Sequence, residues 1–226
     1  KAQGGVELGI YGAAVKIAMV RAMLTQAFRY AYEPFVFAGS KEKDSRKTYA
    51  DAMKFFIIFT LLAYLAVMFY MDILKYIIAP DYWPGLKVVP IVMAAEIFMG
   101  IYFNLSFWYK LIDETRWGAY FSIIGCAVLI TINVLFIPRF SYMACAWAGF
   151  AGYGVAMLLS YFVGQKKYPI NYDLKAIFLY LLVAALLYAA AMLLPIENLW
   201  LRMAYRTLLL LLFVAYIVKR DLPLRQ

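Results

Sequence analysis

The sequence predicts an all-α fold, a polytopic transmembrane helix bundle of about seven spans. Three observations predict it. Of 226 residues, 66% are hydrophobic and only 15% charged, with a mean hydropathy of +0.76; soluble domains run near 45–50% apolar and about 25% charged. The apolar residues gather into seven continuous runs, each long enough for a helix to cross a hydrocarbon core of about 30 Å. The connections are short and made of turn residues, such as Gly39-Ser40, Pro80-Asp81, Pro84-Gly85, Pro138-Arg139, Pro169-Ile170-Asn171 and Pro195-Ile196-Glu197-Asn198. Runs without alternation exclude a β-barrel, and the composition excludes disorder, collagen and a disulfide scaffold.

The elements follow in order. The first run extends from about Leu8 to Phe37 and the second from about Ala52 to Ala79, after a mixed-charge loop over residues 39–47 and an amphipathic lead-in from Tyr49 to Lys54. The third covers about Leu86 to Leu111, with Pro90 as an expected bend, and the fourth Trp117 to Ile137. The fifth, about Tyr142 to Gly164, carries Ala144, Ala148, Gly152, Ala156 and Ser160 at a spacing of four, a ladder that lets two helix backbones approach closely. The sixth runs from Leu174 to Leu194 and the seventh from Leu199 to Val218. Trp83, Trp147 and Trp200 near outer ends, with Trp108 and Trp117 near inner ones, read as interfacial belts. Cys126 and Cys145 lie inside apolar runs and read as small packing residues. There is no histidine, which removes imidazole acid–base chemistry.

A net charge of +9 would suggest nucleic acid in a soluble protein, but here the cations are spread over loops. Thirteen of the 22 fall in the 1–2, 3–4 and 5–6 loops and the C-terminus, six in the opposite set, and three within the first span. The asymmetry places the richer set in the cytoplasm, with the C-terminus inside and the N-terminus outside. No nucleic-acid partner is expected. The chain opens at Lys1 without a secretory signal pattern, and its first apolar run begins almost at once. Together with an outside N-terminus, this reads as a piece of something longer.

The first span is unusual for its charges. With Lys16 set at 0°, Arg21, Thr25, Arg29, Glu33 and Gln26 fall between about 140° and 280° around the helix, so these five share a face. Intramembrane charges cost about 2.5–3.5 kcal/mol each on insertion scales and so face a bundle interior or a wet cavity. One reading is a cationic cavity wall that binds an anionic head group through the arginine forks of Arg21 and Arg29, with Thr25 and Gln26 beside them. The other is structural: Arg29 and Glu33 form an i,i+4 pair, and Arg21 meets an acid elsewhere. Glu96 in the third span is a candidate for that partner, or for a cation or proton site. Asn104 and Asn133 read at least as well as helix-packing hydrogen-bonders, and Asp72 and Lys75 as interfacial. Neither a metal site nor a cofactor is expected.

Three stretches carry a family resemblance. "ELGIYGAAVKIAMVRAMLTQAFRYAYEPF" resembles the eighth transmembrane helix of polysaccharide-biosynthesis flippases, the Wzx-type transporters of lipid-linked oligosaccharides within the MATE-like MOP superfamily. "GLKVVPIVMAAEIFMGIYFNLSFWYKLIDETRWGAY" resembles the tenth helix and the turn into the eleventh, and "INVLFIPRFSYMACAWAGFAGYGVAMLLSYFVGQKKYPI" the end of the eleventh and the twelfth. The resemblance covers essentially the whole chain, though each motif is diffuse. It implies helices eight to fourteen of about fourteen: residues 1–164 as five helices of the second transporter lobe, residues 165–226 as two trailing helices, and a missing N-terminal half as partner. It further implies a bacterial inner-membrane protein, no enzyme, that moves an undecaprenyl-pyrophosphate-linked oligosaccharide for surface polysaccharide synthesis. Alternating access would work through a cationic cavity lined by Arg21 and Arg29. A cation- or proton-coupled multidrug antiporter of the same fold would want acids in that cavity, where the first helix sets two arginines against one glutamate. A membrane-embedded polymerase or ligase would want a large outer loop, which the chain lacks, and a structural membrane subunit is a fourth reading.

Overall fold

A computed structural model describes residues 45–77 and 80–221, with the single positions 5, 9, 12 and 15. Apart from those positions, the first expected span lies outside the described residues. The second becomes α1 (Ser45–Phe69), continued by one turn, α2 (Met71–Leu74), and a short 3-10 helix (Lys75–Ile77). A 3-10 segment (Pro80–Val88) leads into α3 (Val89–Leu105) and α4 (Phe107–Leu111). Then come α5 (Arg116–Phe140), α6 (Tyr142–Lys167), α7 (Leu174–Leu193) and α8 (Leu199–Asp221). Six helical segments among the described residues are long and apolar enough to cross a membrane. The chain is an all-α, multi-pass membrane bundle.

Boundaries depart from the sequence expectation where proline or polar lead-ins are involved. Helix α1 is described from Ser45, so residues 45–47 of the expected loop are already helical. Pro90 sits in the first turn of α3, where its missing N–H costs nothing, and initiates the helix instead of bending it. The bend falls at Ser106, whose N–H is shared between the Tyr102 and Phe103 carbonyls while its hydroxyl donates to Phe103 O at 2.6 Å. Helix α5 runs through Pro138 to Phe140, and the turn is made by Ser141 at φ 52°.

Helix α6 packs along both α3 and α5, while α1 packs on α3, α7 and α8. Between apolar helices in lipid the hydrophobic effect offers little, and close backbone approach decides affinity. The ladder Ala144, Ala148, Gly152, Ala156 and Ser160 is buried throughout. At its centre Gly152 faces Gly125 of α5. A Cβ on Gly152 would lie 2.9 Å from Gly125 O, and one on Gly125 would lie 3.0 Å from Gly152 O. Trp108, expected at the inner interface, is instead fully buried: its indole N–H donates to Ser160 O at 3.1 Å, and the ring closes over the bare Cα of Gly164. A second core joins Phe56, Leu65 and Phe69 of α1 to Tyr180 of α7 and Phe213 of α8. Large apolar side chains such as Ile130 and Val134 of α5, Leu186 of α7 and Leu211 of α8 point outward, as a lipid-facing surface requires.

Two charged ties join α8 to the first helices. Near one end, Lys54 of α1 donates to Asp221 Oδ1 at 2.7 Å, and Tyr180 of α7 donates to the other oxygen of the same carboxylate. Near the other end, Arg202 and Arg206 both reach Asp72 Oδ2 at 2.9 Å, and Arg206 also donates to Phe69 O at 3.1 Å. The charge pattern predicts that loop 169–173 and loop 194–198 lie on opposite sides of the membrane. In a background lacking Cys126 and Cys145, Asn171→Cys should react with a membrane-impermeant maleimide from the cytoplasmic side and Glu197→Cys from the other. Labelling of both from one side would overturn the crossing assigned to α7.

Candidate functional site

Arg21, Thr25, Gln26, Arg29 and Glu33 lie outside the described residues. Glu96 is described. It stands half-buried on α3, and Tyr153 of α6 lies within electrostatic reach of it and of Cys126 on α5. Three helices therefore bring an acid, a phenol and a thiol to one groove between α3 and α5, floored by α6. The helical period explains the convergence. Thr115, Ala119, Ser122 and Cys126 recur at spacings of three or four along α5 and are exposed, so they form one stripe of small and polar side chains. Phe98 of α3 lies near Phe150 of α6, ring centroids 4.8 Å apart, on the other side of α3, where it lines a second pocket with Leu61, Tyr64 and Tyr188.

Toward α4 the groove opens into a cavity of about 300 Å³ lined by Tyr102, Ser106, Tyr109, Lys110, Thr115 and Ser122, among others. Tyr102 bridges the two walls there: its hydroxyl donates to Gly118 O at 3.1 Å and lies 3.2 Å from Ser122 Oγ. At the rim, Glu114 Oε2 accepts from Lys167 Nζ and from the Trp117 indole, both at 2.6 Å. The Lys167 hydrogen bond first, and the Trp117 one second, hold the Glu114 carboxyl below the usual carboxylate range. A depressed pKa means this tie is intact at neutral pH and is lost only as the medium becomes acidic enough to protonate Glu114. Among the described residues no group of His, Cys, Asp or Glu could hold a metal ion.

The remaining polar candidates prove local. Asn104 donates to Gly100 O of its own helix at 3.0 Å, and the Asn133 side-chain oxygen is buried without a hydrogen-bond partner. Both cysteines are free thiols, and Cys126, expected to pack, is exposed on the groove stripe. Arg202 and Arg206 fall inside the seventh run, although the charge tally counts them with the opposite set of loops. They belong to α8, and Arg206 is buried. The signal for the tie was present in their i,i+4 spacing and in Asp72, a lone acid at the far end of the second span.

No family model and no curated protein matches the sequence. A solved structure does match the fold. It is the lipid II flippase MurJ in an inward closed conformation, 15% identical, with a TM-score of 0.72 over 95% of this chain and 50% of that one. The chain thus spans about half the length of the flippase it resembles. At that identity the likeness is one of fold: the order and packing of helices are shared, and side-chain roles are not transferred by it.

Proposed function

We propose that the chain is the second-lobe portion of a flippase for a lipid-linked oligosaccharide. The observation that carries this reading is the agreement of nearly the whole bundle with half of a lipid II flippase. The substrate would be an undecaprenyl-pyrophosphate-linked oligosaccharide of surface polysaccharide synthesis, moved across the bacterial inner membrane by alternating access. In this reading residues 1–164 form the lobe and 165–226 two trailing helices, with the C-terminus cytoplasmic. Arg21 and Arg29, flanked by Thr25 and Gln26, would hold the pyrophosphate through bidentate hydrogen bonds. Glu33 and Glu96 would serve as charge partners or as the site of a coupling cation.

A coupled antiporter of the same fold is the second reading, favoured by one observation, the placing of Glu96 and Cys126 within electrostatic reach of Tyr153 across three helices. Proteoliposome flipping of undecaprenyl-pyrophosphate bearing N-acetylglucosamine separates the two. The flippase reading expects transport that falls about tenfold in Arg21→Ala and Arg29→Ala, while Lys16→Ala, off the shared face, changes little. Drug extrusion without lipid transport would replace it with the antiporter.

A further inference from the structure

The cavity at the α4 end of the α3–α5 groove has a lining that hydrocarbon would not favour. The Tyr102, Ser106 and Ser122 hydroxyls have partners within the protein, but an exposed hydroxyl and an ammonium facing acyl chains still lose hydrogen bonds to water. The occupant is therefore water or a polar ligand. Its chemistry is narrowed by what the wall carries. Thr115 and Ser122 are exposed on one side, and hydroxyls both donate and accept. On the other side the Tyr102 and Tyr109 rings are almost wholly buried, 5% and 7% exposed, and Phe103 presents a half-buried aromatic ring to the cavity. Tyr102 is pinned by its two hydrogen bonds to α5, and the Tyr109 phenol rests against Gly118, where a Cβ would lie 3.0 Å from its oxygen. The wall behind Phe103 is thus fixed before anything binds, which lowers the ordering cost of binding.

Lys110 is the single cation of the lining, and it lies 5.6 Å over the Phe107 ring. One cation among hydroxyls and rings is a poor seat for a diphosphate and a good one for a neutral polyol, whose hydroxyls take the serine and threonine groups and whose C–H faces lie on aromatic rings. The volume, about 300 Å³, is at the small end of ligand sites and fits a sugar ring or two rather than a whole oligosaccharide.

We propose that this cavity seats a sugar ring of the lipid-linked substrate at the inner face, while Arg21 and Arg29 would take its phosphates. The inference rests on the flippase reading. Its test compares the affinity of the purified protein for two probes: undecaprenyl-pyrophosphate bearing a single N-acetylglucosamine, and undecaprenyl phosphate with no sugar. The unaltered protein is expected to prefer the sugar-bearing probe. Ala119→Trp, which fills the cavity from an exposed position, should weaken that probe at least tenfold and leave the sugar-free one within about twofold. Ser122→Ala should do the same more mildly. Ile124→Trp, roughly 7.5 Å further along α5 on another exposed face, controls for bulk and should change neither.

Undiminished binding of the sugar-bearing probe by Ala119→Trp overturns the seat. So does an equal loss for both probes, or equal affinity of the unaltered protein for the two. If the unaltered protein binds neither lipid, the flippase reading itself falls and the seat with it.

Discussion

Gly152→Leu is expected to abolish accumulation of folded protein in the membrane, a loss of about a hundredfold, while Gly149→Leu in the same helix leaves it near the parent level. The two substitutions add the same bulk to α6. At Gly149 a Cβ meets nothing within 4 Å. At Gly152 it meets Gly125 O at 2.9 Å and the Leu129 Cβ at 3.1 Å. One of these contacts is backbone and cannot swing away, so the helices must separate along the seam. Gly152→Ala should cost about 1–3 kcal/mol, the usual range for overpacking, and leucine more, against a total stability of about 5–15 kcal/mol. Membrane accumulation and thermal inactivation in detergent read the series. Equal behaviour of the two leucine variants would show that α5 and α6 do not meet at Gly125 and Gly152.

Asp72→Asn is expected to destabilise the bundle by about 3 kcal/mol, because it leaves two guanidinium groups at the α2–α8 junction without their shared carboxylate. Arg206 is only 9% exposed, so water does little to replace the lost partner. Removing one member of a buried pair costs about 3–5 kcal/mol. The Asp72 side chain is 24% exposed, which puts the expectation at the low end. Adding Arg206→Met to Asp72→Asn should restore most of the loss, since removing both partners of a buried pair is often neutral. Melting temperatures of the three variants in one detergent test this. A single variant as stable as the parent would show that Asp72 does not hold the arginines in the folded protein.

The sequence was legible where one physical rule dominates. Apolar run length placed α6 within three residues and α7 within one, because crossing a hydrocarbon layer admits few alternatives. The small-residue ladder announced the buried seam, though not its partner, since nothing in a spacing of four says which helix carries Gly125. Tertiary context was illegible. Trp108 has the composition and position of an interfacial residue, and only the bare Gly164, more than fifty positions away, makes room for it inside. The α3–α5 groove is divided among Glu96, Ser122, Cys126 and Tyr153 on three helices, and no local pattern says that these residues come together. The cationic face of the first span, by contrast, is local and was read from periodicity alone; it lies outside the described residues and is tested by the transport assay.

The two ionic ties carry a consequence for the lipid around the protein. Lys54 and Asp72 are eighteen residues apart, which at about 1.5 Å per residue separates the ties by roughly 27 Å along α1 and its continuation α2. Charges so placed act as a gauge: each tie keeps its hydrogen bonds best at the level of the head groups, and hydrocarbon fills the interval between them. Acyl chains that make the layer much thicker would submerge one tie, and hydrophobic mismatch would then be relieved by tilting α1 and α8 together or by deforming the surrounding lipid. The fold thus carries its own preferred membrane depth, measured by a lysine, an aspartate and the helix rise between them.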